Sequence, residues 1–294
     1  MKRITPLVAG LLALAFVVTP LVLHFGQKRH DALVIELPED PSKEPRGAVF
    51  ALSLAALMEH ELDGLTGWRP NDLPPWGPWL GPDNNASRQL GILQAVRETT
   101  RVMKDHLTKV SSDVYDPTLL AADNLFRNDA EKWAFPSAER RYREGIAKLR
   151  EYVAGLHAEP PTSRPINVRN VELMRLIQAW TDLLGGAHAA LYRRDVGWFE
   201  IDDVFYRATG TCHVILHMGR AVEIEYAREL ENKPVLAQLF EEIRAPLEHC
   251  ARMKPLIVLN GGDTSLLANH RRNLDASVNE VRQKLYSIRE ELEK

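Results

Sequence analysis

Apolar residues recur at steps of three and four along most of this 294-residue chain, and this spacing constrains the fold more than any other feature. Such spacing puts apolar side chains on one face of an α-helix, whereas a half-buried strand alternates polar and apolar residues. Alternation is confined to two short stretches, 198–205 and 256–259. Five segments carry the helical pattern: 93–110, 142–156, 173–191, 236–247 and 267–292. The sequence therefore predicts an all-α domain, a bundle of six to eight helices.

Helix boundaries are marked by residues with local roles. Ser137 and Asn170 are candidate N-caps, because their side chains can accept a hydrogen bond from a backbone N–H of the first turn. Pro234 suits the first turn of a helix, where a missing N–H costs nothing. After the glycine pair at 261–262, Asp263 or Thr264 can cap the last helix.

Residues 4–23 contain no charged side chain. Twenty helical residues span about 30 Å, the thickness of the hydrocarbon core of a bilayer. The sequence predicts a transmembrane helix within an N-terminal anchor, residues 1–26. A cleaved signal peptide is the alternative, because Ala13 and Ala15 offer a small-x-small site. The apolar run continues to Leu23, however, so the anchor is favoured.

Orientation follows from the layout of the chain, since charge does not decide it. Two basic residues precede the apolar segment and two follow it, at 2–3 and 28–29, which nearly balances the positive-inside rule. A short tail before a long C-terminal domain is the usual signal-anchor arrangement. In a bacterium with two membranes, this layout predicts a single-pass inner-membrane protein with its domain in the periplasm. Residues 27–47, polar and proline-bearing, are the predicted juxtamembrane linker, and 48–294 are the domain.

The charge and cysteine content exclude several partners. The formal net charge is −3, and removing the two positive charges of Lys2 and Arg3 leaves −5 for the rest. A mildly acidic domain without a basic stripe is not expected to bind nucleic acid. Cys212 and Cys250 lack metal-ligand spacing and are predicted core-facing helical residues, either free thiols or, in an oxidising compartment, a disulfide. No cofactor is expected.

Residues 67–91 contain a long irregular loop with three tryptophans and five prolines. Long loops in compact domains are usually functional or disordered, and the aromatic content argues against disorder. The loop is either a binding surface, where tryptophan faces meet sugar rings or extended peptides, or a proline-rigidified plug over the bundle end. The candidate ligand-binding residues are Trp68, Asn71, Asp72, Trp76, Trp79, Asp83, Asn84 and Gln89.

His213 and His217 are weak candidates for metal binding. Their spacing puts both rings on one face of a helix, but no third ligand follows at a metal-binding distance, so packed histidines are favoured. Asp202 and Asp203 are adjacent and point in different directions, which is typical of a cap or a solvated turn. The chain has no G-x-S-x-G nucleophile motif, and no catalytic residue is assigned.

Several motifs together resemble one family. They are W-R-P-N-D at 68–72, D-N-N at 83–85 with Q-L-G at 89–91, W-A-F-P-S at 133–137, R-A-T-G-T at 207–211 with V-I-L-H at 214–217, and L-N-G at 259–261 with A-N-H at 268–270. From about Leu57 onwards the chain resembles the uncharacterised bacterial family called domain of unknown function 2333. The resemblance implies a proteobacterial envelope setting with an N-terminal anchor. It implies no activity and no catalytic residue.

The sequence leaves three functions open. The first is a membrane-tethered binding or scaffolding module of the cell envelope, whose partner is a protein, a glycan or a lipid. The second is an envelope hydrolase or transferase acting on a cell-wall glycan, with Asp72 and Asp83 as the acid and base. The third is a metal-dependent sensor that uses His213 and His217.

Overall fold

The computed structural model describes residues 40–63, 67–72, 84–109, 114–193, 200–261 and 268–294, with isolated positions between 8 and 35 and at 195 and 197. A short 3-10 helix, Pro41–Lys43, precedes the first α-helix, and a π-helix, Met103–Leu107, continues the second. The α-helices of the described ranges are α1 Ala48–Leu62, α2 Asn84–Val102, α3 Pro117–Phe126, α4 Ala138–Leu156, α5 Asn170–Tyr192, α6 Ile201–Glu225, α7 Ala227–Glu231, α8 Pro234–Arg252 and α9 His270–Glu293.

The prediction of an all-α fold is confirmed for the described residues, which contain no strand, but the expected count of six to eight helices is too low, because these ranges contain nine α-helices, among them the five-residue α7. Asn260 and Asn269 form an isolated antiparallel bridge. The alternating stretch at 198–205 does not form a strand where it is described, because Ile201 and Phe205 stand four residues apart on the buried face of α6. Residues 256–259 are irregular.

The predicted helix starts are confirmed in two places and wrong in one. Ser137 caps α4 by accepting a hydrogen bond from the backbone N–H of Arg140, and Pro234 begins α8. Asn170 is the first residue of α5 and not its cap. Its side-chain amide instead donates to the carbonyl of Leu292 at 2.9 Å and ties α5 to the end of α9.

The start of the last helix also differs from the prediction. Asn269 caps α9, because its side-chain oxygen accepts a hydrogen bond from the backbone N–H of Arg272 at 2.9 Å. The expected caps, Asp263 and Thr264, lie outside the described residues and at least six positions before the helix begins. The cap is therefore supplied by the residue that ends the Asn260–Asn269 bridge.

The described helices include none that is long and apolar enough to cross a membrane. Of the expected anchor, only isolated positions are described, and Val8, Ala9, Gly10 and Leu11 among them are helical and exposed. Ala13, Leu14, Val18 and Val22 are also helical and exposed, and the remaining residues of 4–23 lie outside the described residues.

Helices α2 and α6 pack through glycines at the centre of the fold. A Cβ atom at Gly91 would lie 2.1 Å from the carbonyl oxygen of Arg207, and one at Gly210 would lie 2.1 Å from that of Arg88. Each glycine follows an arginine by three residues and faces the carbonyl of the arginine on the other helix. This reciprocal R-x-x-G pattern lets the two backbones touch, which only residues without a side chain permit.

The N-terminal end of α1 is fixed by the C-terminal end of α6. The Glu225 carboxylate accepts hydrogen bonds from the backbone N–H groups of Gly47 at 2.9 Å and Phe50 at 3.1 Å, so it serves as a cap from a distant helix. Burial raises the pKa of Glu225. Arg46 forms an ion pair with Glu229 at 2.9 Å. The last residues of the predicted linker are therefore attached to the domain.

Candidate functional site

A cleft of about 630 Å³ opens between α2, α5 and α6. Its floor is formed by Ala179, Ala208 and Thr211, which are buried. Its walls are formed by residues three or four apart on each helix, so each helix presents one side to the opening. The volume lies within the range of about 300 to 1,000 Å³ that is typical of small-molecule sites.

Small residues on α5 explain why the cleft is open. The wall from this helix includes Gly186, Ala187 and Ala190, and a Cβ atom at Gly186 would meet nothing within 4 Å. Protein interiors are otherwise filled to crystal-like density by interdigitating side chains. Leucine or isoleucine at these positions would occupy the space, so the short side chains of α5 leave the room that a ligand needs.

The lining of the cleft carries more negative than positive charge. Glu98 pairs with Arg101 at 2.9 Å, and Asp203 accepts a hydrogen bond from the Ser87 hydroxyl at 2.5 Å. Burial and the nearby Asp203 charge raise the pKa of the adjacent Asp202. This lining favours a ligand with a positively charged group. The lining contains four acidic side chains, Glu98, Asp182, Glu200 and Asp203, and two basic side chains, Arg101 and Arg207.

Trp68 and Asn71, two of the ligand-binding candidates, are buried and bonded to the chain itself. The Trp68 indole N–H donates to the carbonyl of Ala130 at 2.9 Å, and its ring meets that of Tyr142 edge-on at 5.1 Å. Asn71 donates to the carbonyl of Lys132 at 3.1 Å. A plug over the bundle end predicts buried contacts of this kind, and Trp68 and Asn71 in the described part of the loop make them.

Gln89 belongs to a buried polar cluster between α1 and α2. Its side-chain amide donates to the carbonyl of Gly67 at 2.8 Å, and its oxygen accepts the backbone N–H of Arg69 at 2.8 Å. Beside it, the fully buried Glu61 carboxylate pairs with Arg88 at 2.5 Å. This cluster fixes the start of the loop against the first turns of α2.

The remaining candidates of the loop are divided between the described and the undescribed parts of the chain. Asp72 forms an ion pair with Arg69. The buried Asn84 donates to the carbonyl of Leu256 at 3.4 Å. The other three candidates lie outside the described residues, so the binding interpretation stays a prediction for Trp76, Trp79 and Asp83.

The structure brings none of the described candidates into the cleft. Sequence reasoning missed the cleft because its residues lie on three helices that are separated along the chain. One signal was present, the run G-G-A-H-A-A at 185–190, which interrupts the bulky apolar stripe of α5 with short side chains.

The histidines and cysteines of α6 lie in the core. The rings of His213 and His217 are buried, with their centroids 4.7 Å apart. Among the described residues, no group of three or more His, Cys, Asp or Glu side chains could hold a metal ion. Cys212 and Cys250 are buried, free thiols, as one of the two sequence interpretations expected. A hydrogen bond to Cys250, together with burial, raises the pKa of Cys212 well above its usual range.

Comparison with known proteins gives one match. A family model described as an uncharacterized protein conserved in bacteria, DUF2333, matches residues 6–194 and 185–294, nearly the whole chain. No curated protein and no solved structure matches the chain.

Proposed function

We propose that this chain, which belongs to the DUF2333 family of bacterial proteins, is a membrane-anchored cell-envelope protein whose helical domain binds an envelope component in the cleft. The uncharged segment at 4–23 supports the anchor, and the short tail before a long domain supports a periplasmic location. The cleft between α2, α5 and α6 is the observation that carries the binding role.

The cleft suits binding better than the described part of the tryptophan-containing loop does. Trp68, Asn71 and Gln89 already use their polar groups within the chain, so a ligand would have to displace those bonds. The cleft instead has open volume, an apolar floor and charged walls. Its excess of carboxylates favours a component with a primary amine, such as a peptide or an aminated lipid headgroup.

Site-specific photo-crosslinking in cells tests this function. A crosslinking amino acid that replaces Gly186, in the wall of the cleft, should capture an envelope component that mass spectrometry can identify. The matched control replaces Ala189, which is exposed on the same helix and does not line the cleft. Ala187→Trp should obstruct the cleft and weaken the capture from position 186. Equal capture from both positions, or capture that Ala187→Trp leaves undiminished, contradicts the proposal.

Membrane extraction and reporter fusions test the anchor and its orientation. The full chain should stay with the membrane after washing with carbonate and high salt, because salt does not weaken hydrophobic insertion. An alkaline phosphatase fused after Lys294 should be active. A soluble form that begins near Phe16 would instead identify a cleaved signal peptide. The alternative of a hydrolase or transferase stays a prediction; its candidate Asp72 is paired with Arg69.

A further inference from the structure

The turn at residues 133–136, between α3 and α4, exposes two aromatic side chains. Trp133 is 60% exposed and Phe135 is 94% exposed, the largest exposure of any bulky apolar side chain in the described residues. Single exposed apolar residues are common on protein surfaces and need no explanation. Two aromatic residues in one turn of four residues form a protruding apolar surface, which we call the aromatic turn.

The segment that leads into the aromatic turn is held rigidly. From 126 to 132, the carbonyl oxygen of every second residue accepts a hydrogen bond from a side chain elsewhere in the fold. A backbone hydrogen bond from Ala138 to the carbonyl of Lys132, at 2.8 Å, then closes the turn. The side chains of Arg97, Tyr142, Trp68 and Asn71 donate, at 2.6 to 3.1 Å, to the carbonyl oxygens of Phe126, Asn128, Ala130 and Lys132, respectively.

Phe135 also has an unusual backbone conformation. Its φ angle is 52°, in the left-handed region that bulky residues rarely adopt. Such conformations cost about 1 to 3 kcal/mol and persist only where the surrounding structure imposes them, often at functional positions. The fold thus holds a large apolar side chain in water, on a strained backbone and a rigid support. An arrangement of this kind lowers the entropic cost of binding an apolar partner.

We propose that the aromatic turn inserts Trp133 and Phe135 into the interfacial region of the lipid bilayer that holds the anchor. The turn is convex, and a fluid bilayer accepts a protrusion without the matching groove that a protein partner would need. Tryptophan has an apolar body and a polar N–H, which suit the boundary between hydrocarbon and headgroups. Beside the turn, the exposed Lys132 and Glu131 carry opposite charges, so the apolar rings, and not charge, account for the proposed contact.

The inference rests on the proposed anchor, and the length of the tether limits the distance between the domain and the bilayer. The linker joins the domain at Gly47, and α1 runs from there for 15 residues, about 22 Å, towards the aromatic turn. At its end, the carbonyl of Leu62 accepts a hydrogen bond from Arg143 of α4. Leu33 packs, partly buried, against the core, so at most residues 27–32 serve as a tether, and six residues span roughly 20 Å when extended.

A single fluorescent label on the full chain tests the inference. Phe135→Cys places a reactive thiol on the aromatic turn, while Cys212 and Cys250 are 0% exposed and do not compete for the reagent. The labelled protein is reconstituted into vesicles of phosphatidylethanolamine and phosphatidylglycerol. Lipids with a nitroxide near the headgroup should quench the label several-fold, and aqueous iodide should quench it several-fold less than in detergent. Val235→Cys on α8, 53% exposed, is the control and should show neither effect.

The outcomes separate the inference from the anchor. Flotation of the vesicles reports whether the anchor inserts, and loss of flotation refutes the anchor together with the contact that depends on it. With flotation intact, absence of lipid quenching at position 135, or equal quenching at 135 and 235, overturns the inference alone. Protection from iodide in native membranes but not in pure lipid vesicles would identify a protein partner and also overturn it. Adding Trp133→Ser should reduce the lipid quenching at least twofold.

Discussion

Replacing Gly210 with alanine should force α2 and α6 apart, because the glycines at their crossing lie against backbone carbonyls. The new Cβ atom would lie 2.1 Å from the carbonyl oxygen of Arg88, whereas a carbon–oxygen contact needs about 3.3 Å. The helices must therefore separate by roughly 1.2 Å, and no change of rotamer relieves the clash. Overpacking costs about 1 to 3 kcal/mol, and alanine regains about 0.5 to 1 kcal/mol of helix propensity. Because the clashing atom belongs to the backbone and cannot move aside, we take the upper end of the overpacking range and expect a net loss of about 2 kcal/mol.

Urea unfolding of the detergent-solubilised full chain, followed by circular dichroism, measures this loss. Gly91→Ala should behave like Gly210→Ala, and the double variant should lose less than the sum, because one separation of the helices relieves both clashes. Gly186→Ala is the matched control, since its Cβ atom meets nothing within 4 Å; it should be neutral or slightly stabilising. A loss below about 0.5 kcal/mol at Gly210, the usual range for surface changes, would refute the reasoning.

Three further predictions concern buried polar groups. Arg88→Met should lower the free energy of unfolding by about 3 to 5 kcal/mol, because it leaves Glu61 as an uncompensated buried charge, and adding Glu61→Leu should recover most of the loss in the same urea assay. Arg271→Met should cost about 1 to 3 kcal/mol, because the carbonyls of Leu191 and Arg193 at the end of α5 lose their buried donor. Arg271→Lys should recover less than half, since a lysine lacks the planar fork that serves both carbonyls. At alkaline pH, stability should fall as the pH rises above about 10, where unfolded tyrosines ionise. Burial raises the pKa of Tyr142, Tyr152, Tyr206 and Tyr226, so the tyrosinate absorbance of these four side chains should appear together with loss of helix. Full ionisation of all the tyrosines near pH 10 with the helices intact would contradict this.

The helices could be predicted from the sequence because their signals are local. The stripe at 142–156 is the buried face of α4. The cap at Ser137 and the first-turn proline Pro234 each act within one turn of their own positions. The cap of α1 could not be predicted in this way. It is supplied by Glu225, 178 positions after Gly47, and no local pattern indicates that pairing.

The candidate sites were harder to predict, because the sequence does not determine burial in a loop. Trp68 has the same local character whether it faces a ligand or the core, and the contact with Ala130, 62 positions away, decides that it faces the core. The cleft depends on the spacing of three helices, which the close approach of α2 and α6 at Gly91 and Gly210 sets. The exposure of Phe135 similarly depends on its support by distant side chains.

The long-range capping of α1 has a consequence for the order of synthesis and folding. At a translation rate of about 5 to 20 residues per second, Glu225 is made on the order of ten seconds or more after Gly47. Throughout that interval the first turn of α1 lacks its cap, although α4, the helix that packs most extensively on α1, has already been made. The N-terminal end of α1 therefore cannot be fixed in place until α6 has been made.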